Sequence, residues 1–152
     1  MSSVKKWREF VDGVEVEVLE FEGTVETVEK ASMLSGYPPR EIVKTLLLRV
    51  NSDYIVAIVR GDRRIDYGKA SKALDRRIQL AKPSEVKAIL GVDVGAVTPF
   101  SPRIKQIQVI MDPVIAEQEY IVCGGGAVNK LYRVRVKDLI DYLKPRFLDI
   151  FK

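Results

Sequence analysis

Ile42-Val43-Lys44-Thr45-Leu46-Leu47-Leu48-Arg49-Val50 is an apolar run with a lysine set inside it. A strand alternates its side chains with a period of two, so Lys44 shares a face with Leu46, Leu48 and Val50, while Val43, Thr45 and Leu47 look the other way. A strand apolar on both faces is expected in the interior of a sheet. An ammonium on such a strand needs an anion or a cluster of acceptors, because burying it unpaired costs several kcal/mol, roughly. Lys44 is therefore a candidate anion-binding residue; the structural alternative is a side chain that snorkels from the strand end.

Working outward, Asn51-Ser52-Asp53 is turn chemistry and Tyr54 to Arg60 is apolar and β-branched, which predicts a hairpin. Upstream, Val14-Glu15-Val16-Glu17-Val18 alternates as a half-buried strand extending toward Phe21. Thr24 fits an N-cap, with Glu26 in the first turn and Gly36 as the stop, so a helix is expected over about 24–35 before Pro38 and Pro39 reset the chain. Downstream, the pattern predicts a helix from about Tyr67 through Ala70, Ala73, Leu74 and Ile78, and another from Pro83 to Leu90 ended by Gly91. Ile104 to Met111, Tyr120 to Cys123 and Leu131 to Val136 read as strands, and Lys137 to Leu143 as a last helix. Strands and helices are interspersed without regular alternation, so the fold class expected is a mixed-sheet α/β or α+β domain.

The chain has 152 residues, the length of one domain, with 47% hydrophobic and 30% charged residues. No apolar run approaches the ~20 residues of a membrane span, and Met1 to Arg8 is too polar for a secretory signal, so a cytoplasmic location is the expectation. A single cysteine and no histidine exclude an internal disulfide, Ser-His or Cys-His nucleophilic pairs and histidine-ligated metals, and no metal site is expected. The net charge is +4, yet Arg60 to Lys82 alone carries eight basic residues against three acidic ones. This segment, with Arg63, Arg64, Lys69, Lys72 and Arg76 at its centre, is either a solvated helix face or a phosphodiester-binding surface.

Two further segments could carry chemistry. Gly91-Val92-Asp93-Val94-Gly95-Ala96-Val97-Thr98-Pro99-Phe100-Ser101-Pro102 describes a rigid, mostly buried loop whose glycines allow close approach of the backbone to a ligand. Cys123-Gly124-Gly125-Gly126-Ala127-Val128-Asn129-Lys130 lies between two strands and lacks the Gly-Lys-Ser/Thr of a phosphate-binding loop and the last glycine of a dinucleotide fingerprint. It is either a wide hairpin loop or a strand end whose backbone groups line a pocket. Without histidine, Cys123 reads as a small buried hydrophobe rather than a nucleophile.

Taken in order and spacing, the Val43-Lys44-Thr45-Leu46-Leu47 strand, the Gly91 to Phe100 loop and the Tyr120 to Gly125 segment resemble the YbaK/prolyl-tRNA synthetase-associated domain family of aminoacyl-tRNA deacylases. The resemblance runs from about Val14 to the C-terminus. It implies a single compact α/β domain with a central mixed, barrel-like β-sheet flanked by helices, hydrolysing the ester between a wrong amino acid and the 3′ end of a tRNA. Lys44, Gly95 and Pro99 then match the catalytic positions, and Thr45, Ala96, Val97, Thr98, Phe100, Cys123, Gly124, Gly125 and Gly126 the substrate-binding ones. The basic segment would contact the tRNA backbone. The implied partners are aminoacyl-tRNA and prolyl-tRNA synthetase, and no cofactor is implied. Two departures bear on specificity: Cys123 stands where a serine is common in that family, and Gly126 to Lys130 is longer and less basic than its usual turn. A rival function is a non-catalytic module that binds a tRNA end or an aminoacyl-adenylate and partners a synthetase.

Overall fold

A computed structural model describes residues 4–152. Among these residues nine strands form two sheets, joined by four α-helices and several 3₁₀ turns. The first sheet is antiparallel, in the order β1 (Val4–Val11), β2 (Val14–Phe21), β8 (Lys130–Arg135), β7 (Tyr120–Gly124). The second is mixed, in the order β5 (Ile78–Leu80), β3 (Val43–Val50), β4 (Asp53–Arg60), β6 (Gln108–Met111), β9 (Arg146–Phe147), with parallel pairing at β4–β6 and β6–β9. The helices are α1 (Val28–Ser35), α2 (Tyr67–Leu74), α3 (Pro83–Leu90) and α4 (Val136–Leu143). The expected mixed α/β architecture is present, but the sheets do not close into a barrel: their junction is a parallel bridge between Ile42 and Val122.

β3 shows why the opening stretch decides this arrangement. It lies inside its sheet, between β5 and β4, and is apolar on both faces because both are covered. Val43 and Leu47 join the core between the sheets, with Val16, Val18, Val56, Ile58, Ile121 and Cys123. Leu48 and Val50 join a second cluster with Ala70 of α2 and the C-terminal Ile150 and Phe151. A third cluster packs Ala31 of α1 against Leu19, Phe21, Val122 and Leu131 of the first sheet. The hairpin turn pairs Val50 with Asp53 around Asn51 and Ser52, with Asn51 at φ 56°.

Three expectations move. The first helix begins at Val28, not Thr24, and is capped by Thr27, whose Oγ1 accepts from the Lys30 N–H at 3.1 Å. The preceding residues are extended because the Val25 amide donates to the Val128 carbonyl at 2.7 Å instead of entering a helix. The helix from Tyr67 ends at Leu74, and Ile78 belongs to β5, where the outer edge of β3 takes a partner and Ile78 drops into the core. Ile104–Gln106 is a 3₁₀ turn set up by the Ser101 carbonyl, so that strand begins only at Gln108. β1, which was not among the expected strands, pairs with β2 along its whole length; Met1 to Ser3 lie outside the described residues.

Candidate functional site

A cleft of about 460 Å³ runs along β3 from Ile42 to Leu47. The segment entering α1 forms one wall with Glu26, Val28 and Glu29. Val94, Gly95 and Val97 form a second wall, with Gly124, Ala127 and Lys130 among the other lining residues. Leu80, Ala81 and Pro83 complete the rim. The walls are mainly apolar with a few convergent polar groups, the usual constitution of a small-molecule site.

Lys44 and Thr45 both line the cleft. Among the described residues the Lys44 ammonium has no ion-pair or hydrogen-bond partner, and the buried Thr45 Oγ1 is likewise without one. An ammonium without a partner thus lines the cleft, where a ligand's oxygen atoms would supply one, and beside it on the strand the Thr45 hydroxyl is buried and unpaired. The remaining charges are differently placed: Glu26 Oε1 lies 3.3 Å from Lys30 Nζ, and Lys130 Nζ lies 3.7 Å from Glu20.

The two glycine segments meet here. A Cβ on Gly124 would lie 2.4 Å from the Val97 carbonyl oxygen, so the end of β7 and the loop before Thr98 approach each other backbone to backbone. The loop is held from within: Thr98 N–H donates to Ser101 Oγ at 3.1 Å, Thr98 Oγ1 accepts from the Phe100 N–H at 3.3 Å, and the Ser101 N–H returns to the Thr98 carbonyl. The Val94–Ala96 stretch is a 3₁₀ turn. A stiff backbone is thus pressed against the cleft.

Of the residues expected at a site, Lys44, Thr45, Gly95, Val97 and Gly124 line the cleft together. Ala96, Thr98, Pro99, Phe100, Cys123, Gly125 and Gly126 do not. Thr98 and Pro99 are buried in the loop's own packing, and Phe100 stacks in the core against Tyr132 and Tyr142 at ring distances of 5.8 and 4.9 Å. Cys123 points from β7 into the core and is 0% exposed; burial pushes its thiol far above the ordinary range, so it is neither a wall residue nor a nucleophile. Gly125 donates to the Lys130 carbonyl at 2.9 Å and closes the loop rather than the cleft.

None of Arg63, Arg64, Lys69, Lys72 and Arg76 lines the cleft. Arg63 Nε lies 3.1 Å from the buried Asp112 and its guanidinium also reaches Asp149, while Lys69 lies 2.9 Å from Asp149 and donates to the Phe151 carbonyl. These two cations clamp the C-terminal segment. Arg64, Lys72 and Arg76 are exposed; the Arg64 backbone pairs with Lys152, and Arg76 lines a separate open groove with Tyr54 and Arg103. Glu26, Glu29 and Lys130 are cleft residues that sequence reasoning did not single out. Lys130 closes a glycine loop and could have been weighed with it, whereas Glu26 looked like a first-turn helix residue.

The chain is similar to known proteins in sequence and in fold. Proline-tRNA ligase of Thermotoga neapolitana is 36% identical over 102 residues, covering 66% of this chain and 17% of the ligase. Proline-tRNA ligase of Pelotomaculum thermopropionicum is 38% identical over 103 residues, covering 66% and 17%. The chain therefore spans about a sixth of the length of these curated relatives. Among solved structures, hypothetical protein APE2540 superposes with a TM-score of 0.80 at 25% identity, over 90% of this chain and 91% of that one. A crystallised candidate trans-editing enzyme for prolyl-tRNA synthetase superposes with a TM-score of 0.80 at 23% identity, over 90% and 87%, which speaks for the fold. The aminoacyl-tRNA editing domain model matches residues 22–142, from the end of β2 through α4 and across every wall of the cleft, and the chain belongs to that family.

Proposed function

We propose that this chain is a deacylase that edits mischarged tRNA in trans, hydrolysing the ester that joins alanine or cysteine to the 3′ end of tRNA for proline in the cytoplasm. The observation that carries the proposal is the unpaired Lys44 on the floor of a mainly apolar cleft. An aminoacyl ester develops negative charge on its carbonyl oxygen when water adds to the carbon. A fixed ammonium in a desolvated site stabilises that charge or anchors the terminal ribose and phosphate.

The Val94–Val97 wall supplies stiff backbone groups at the same place, suited to orienting the acyl group or the attacking water. Ester hydrolysis is intrinsically easy, and a substrate hydroxyl can assist, so no protein nucleophile is required in this scheme. A volume of about 460 Å³ is in the range of small-molecule sites and accommodates a terminal nucleoside with a small side chain. Discrimination between small amino acids would then rest on fit, where one methylene is worth about 1–3 kcal/mol.

The test is release of labelled amino acid from alanyl-, cysteinyl- and seryl-tRNA for proline, with prolyl-tRNA as control. Wild type is expected to release one or two of the mismatched amino acids and spare proline, and Lys44→Ala to lower kcat/KM by about 100-fold or more while remaining folded. Absence of release from every substrate by folded wild-type protein would replace the deacylase with a binding module.

A further inference from the structure

Glu26 sits where a substrate's cationic end would need it. Its segment is fixed on both sides: the Val25 amide is tied to Val128 at 2.7 Å, and Thr27 caps α1. Lys30 approaches Glu26 Oε1 at 3.3 Å. Glu26 Oε2 packs instead against the Val94–Val97 turn, where a Cβ on Gly95 would lie only 2.8 Å from it. The room left by the missing side chain of Gly95 is occupied by a carboxylate oxygen. Lys44 lines the same cleft, so the site holds a carboxylate and an unpaired ammonium and has a polarity, with Glu29 and Lys130 as its other charged residues.

An amino acid esterified to ribose has the matching polarity. Its carbonyl, ribose and phosphate oxygens are electron-rich, while its α-amino group is basic, titrating near about 8 in a peptide and somewhat lower beside an ester. We infer that Glu26 is a substrate-recognition residue for the α-ammonium of the aminoacyl ester: Oε2 accepts from the ammonium and thereby turns the carbonyl toward Lys44. This rests on the deacylase reading. It also assigns a role to the closeness of Gly95 to Glu26, since a side chain there would displace the acceptor. Glu29 lines the same cleft one turn further along but is not among the atoms nearest Gly95, so it serves as the internal control.

The experiment compares alanyl-tRNA with lactyl-tRNA, in which a hydroxyl replaces the α-amino group at nearly constant size. Each rate is divided by the enzyme-free rate to remove the intrinsic reactivity of the ester. Wild type and Glu29→Gln are expected to favour the alanyl ester by about 10-fold or more in kcat/KM, a charge-assisted contact's worth. Glu26→Gln is expected to bring that preference close to unity by losing rate on the alanyl ester alone. Equal hydrolysis of both esters by wild type, an undiminished preference in Glu26→Gln, or the same loss in Glu29→Gln would each overturn the inference and leave the deacylase standing. Hydrolysis of neither ester would remove both together.

Discussion

Gly124 and Gly95 sit on facing segments of the cleft, yet a methyl group at each meets a different kind of neighbour. At Gly124 it would lie 2.4 Å from a backbone carbonyl, which cannot move without shifting the whole loop. At Gly95 it would meet the far end of Glu26 and a Val128 methyl at 3.0 Å, both able to swing aside. Gly124→Ala is therefore expected to lower stability by about 1–3 kcal/mol, in the manner of an overpacked core, and Gly95→Ala by less than about 1 kcal/mol. Urea melts of the two variants check the contrast. A Gly124→Ala protein as stable as wild type would mean that the two loops are not in contact. The glycines were visible in the sequence as places of close approach, but what they approach was not, since Val97 and Gly124 are 27 residues apart and meet only in three dimensions.

Elements are joined by a few polar contacts whose pH dependence can be read. Tyr142 on α4 donates to Asp12 Oδ2 at 2.8 Å, tying that helix to the turn between β1 and β2. Burial, reinforced by the Asp12 carboxylate, pushes the Tyr142 phenol up to about 12. Because the folded state holds this proton more tightly than the unfolded chain, its contribution is complete below about pH 10 and is lost as pH rises toward 12. Tyr142→Phe should cost about 0.5–1.5 kcal/mol near neutrality, the worth of one hydrogen bond. The gap between the two proteins should narrow between pH 10 and 12, as followed by denaturant melts at several pH values; a constant gap would show that Tyr142 ionises freely when folded. Strand and helix positions were largely legible from period and caps. Among the exceptions were α1, where a long-range amide bond to Val128 competed with a local helix, Ile78, where the open edge of β3 claimed a residue that helical spacing also suited, and Ile104–Gln106, which turns before β6 begins.

On the scale of the whole molecule, the cleft and the C-terminal segment lie apart. Phe151 and Ile150 are almost wholly buried in the cluster behind the second sheet, Phe151 bridges to Ile65, and Asp149 holds Arg63 and Lys69. Phe151→Ala is expected to cost about 3–5 kcal/mol by leaving a cavity, yet to leave kcat/KM per folded molecule unchanged, since it touches no wall of the cleft. Thermal melts beside deacylation assays at low temperature check both halves; a fall in kcat/KM without a fall in melting temperature would place this segment in the site. The sequence by itself determined most of the element types, the two-faced β3 with its misplaced lysine, and the exclusion of histidine chemistry, because periodicity, turn residues and composition are local properties. Only the tertiary structure decided that the sheets stay open at the Ile42–Val122 bridge, that Lys44 remains unpaired, that Cys123, Phe100 and Thr98 turn away from the cleft, and that Glu26 faces Gly95. Each of these depends on which distant backbone a residue meets, and spacing along the chain carries no record of that.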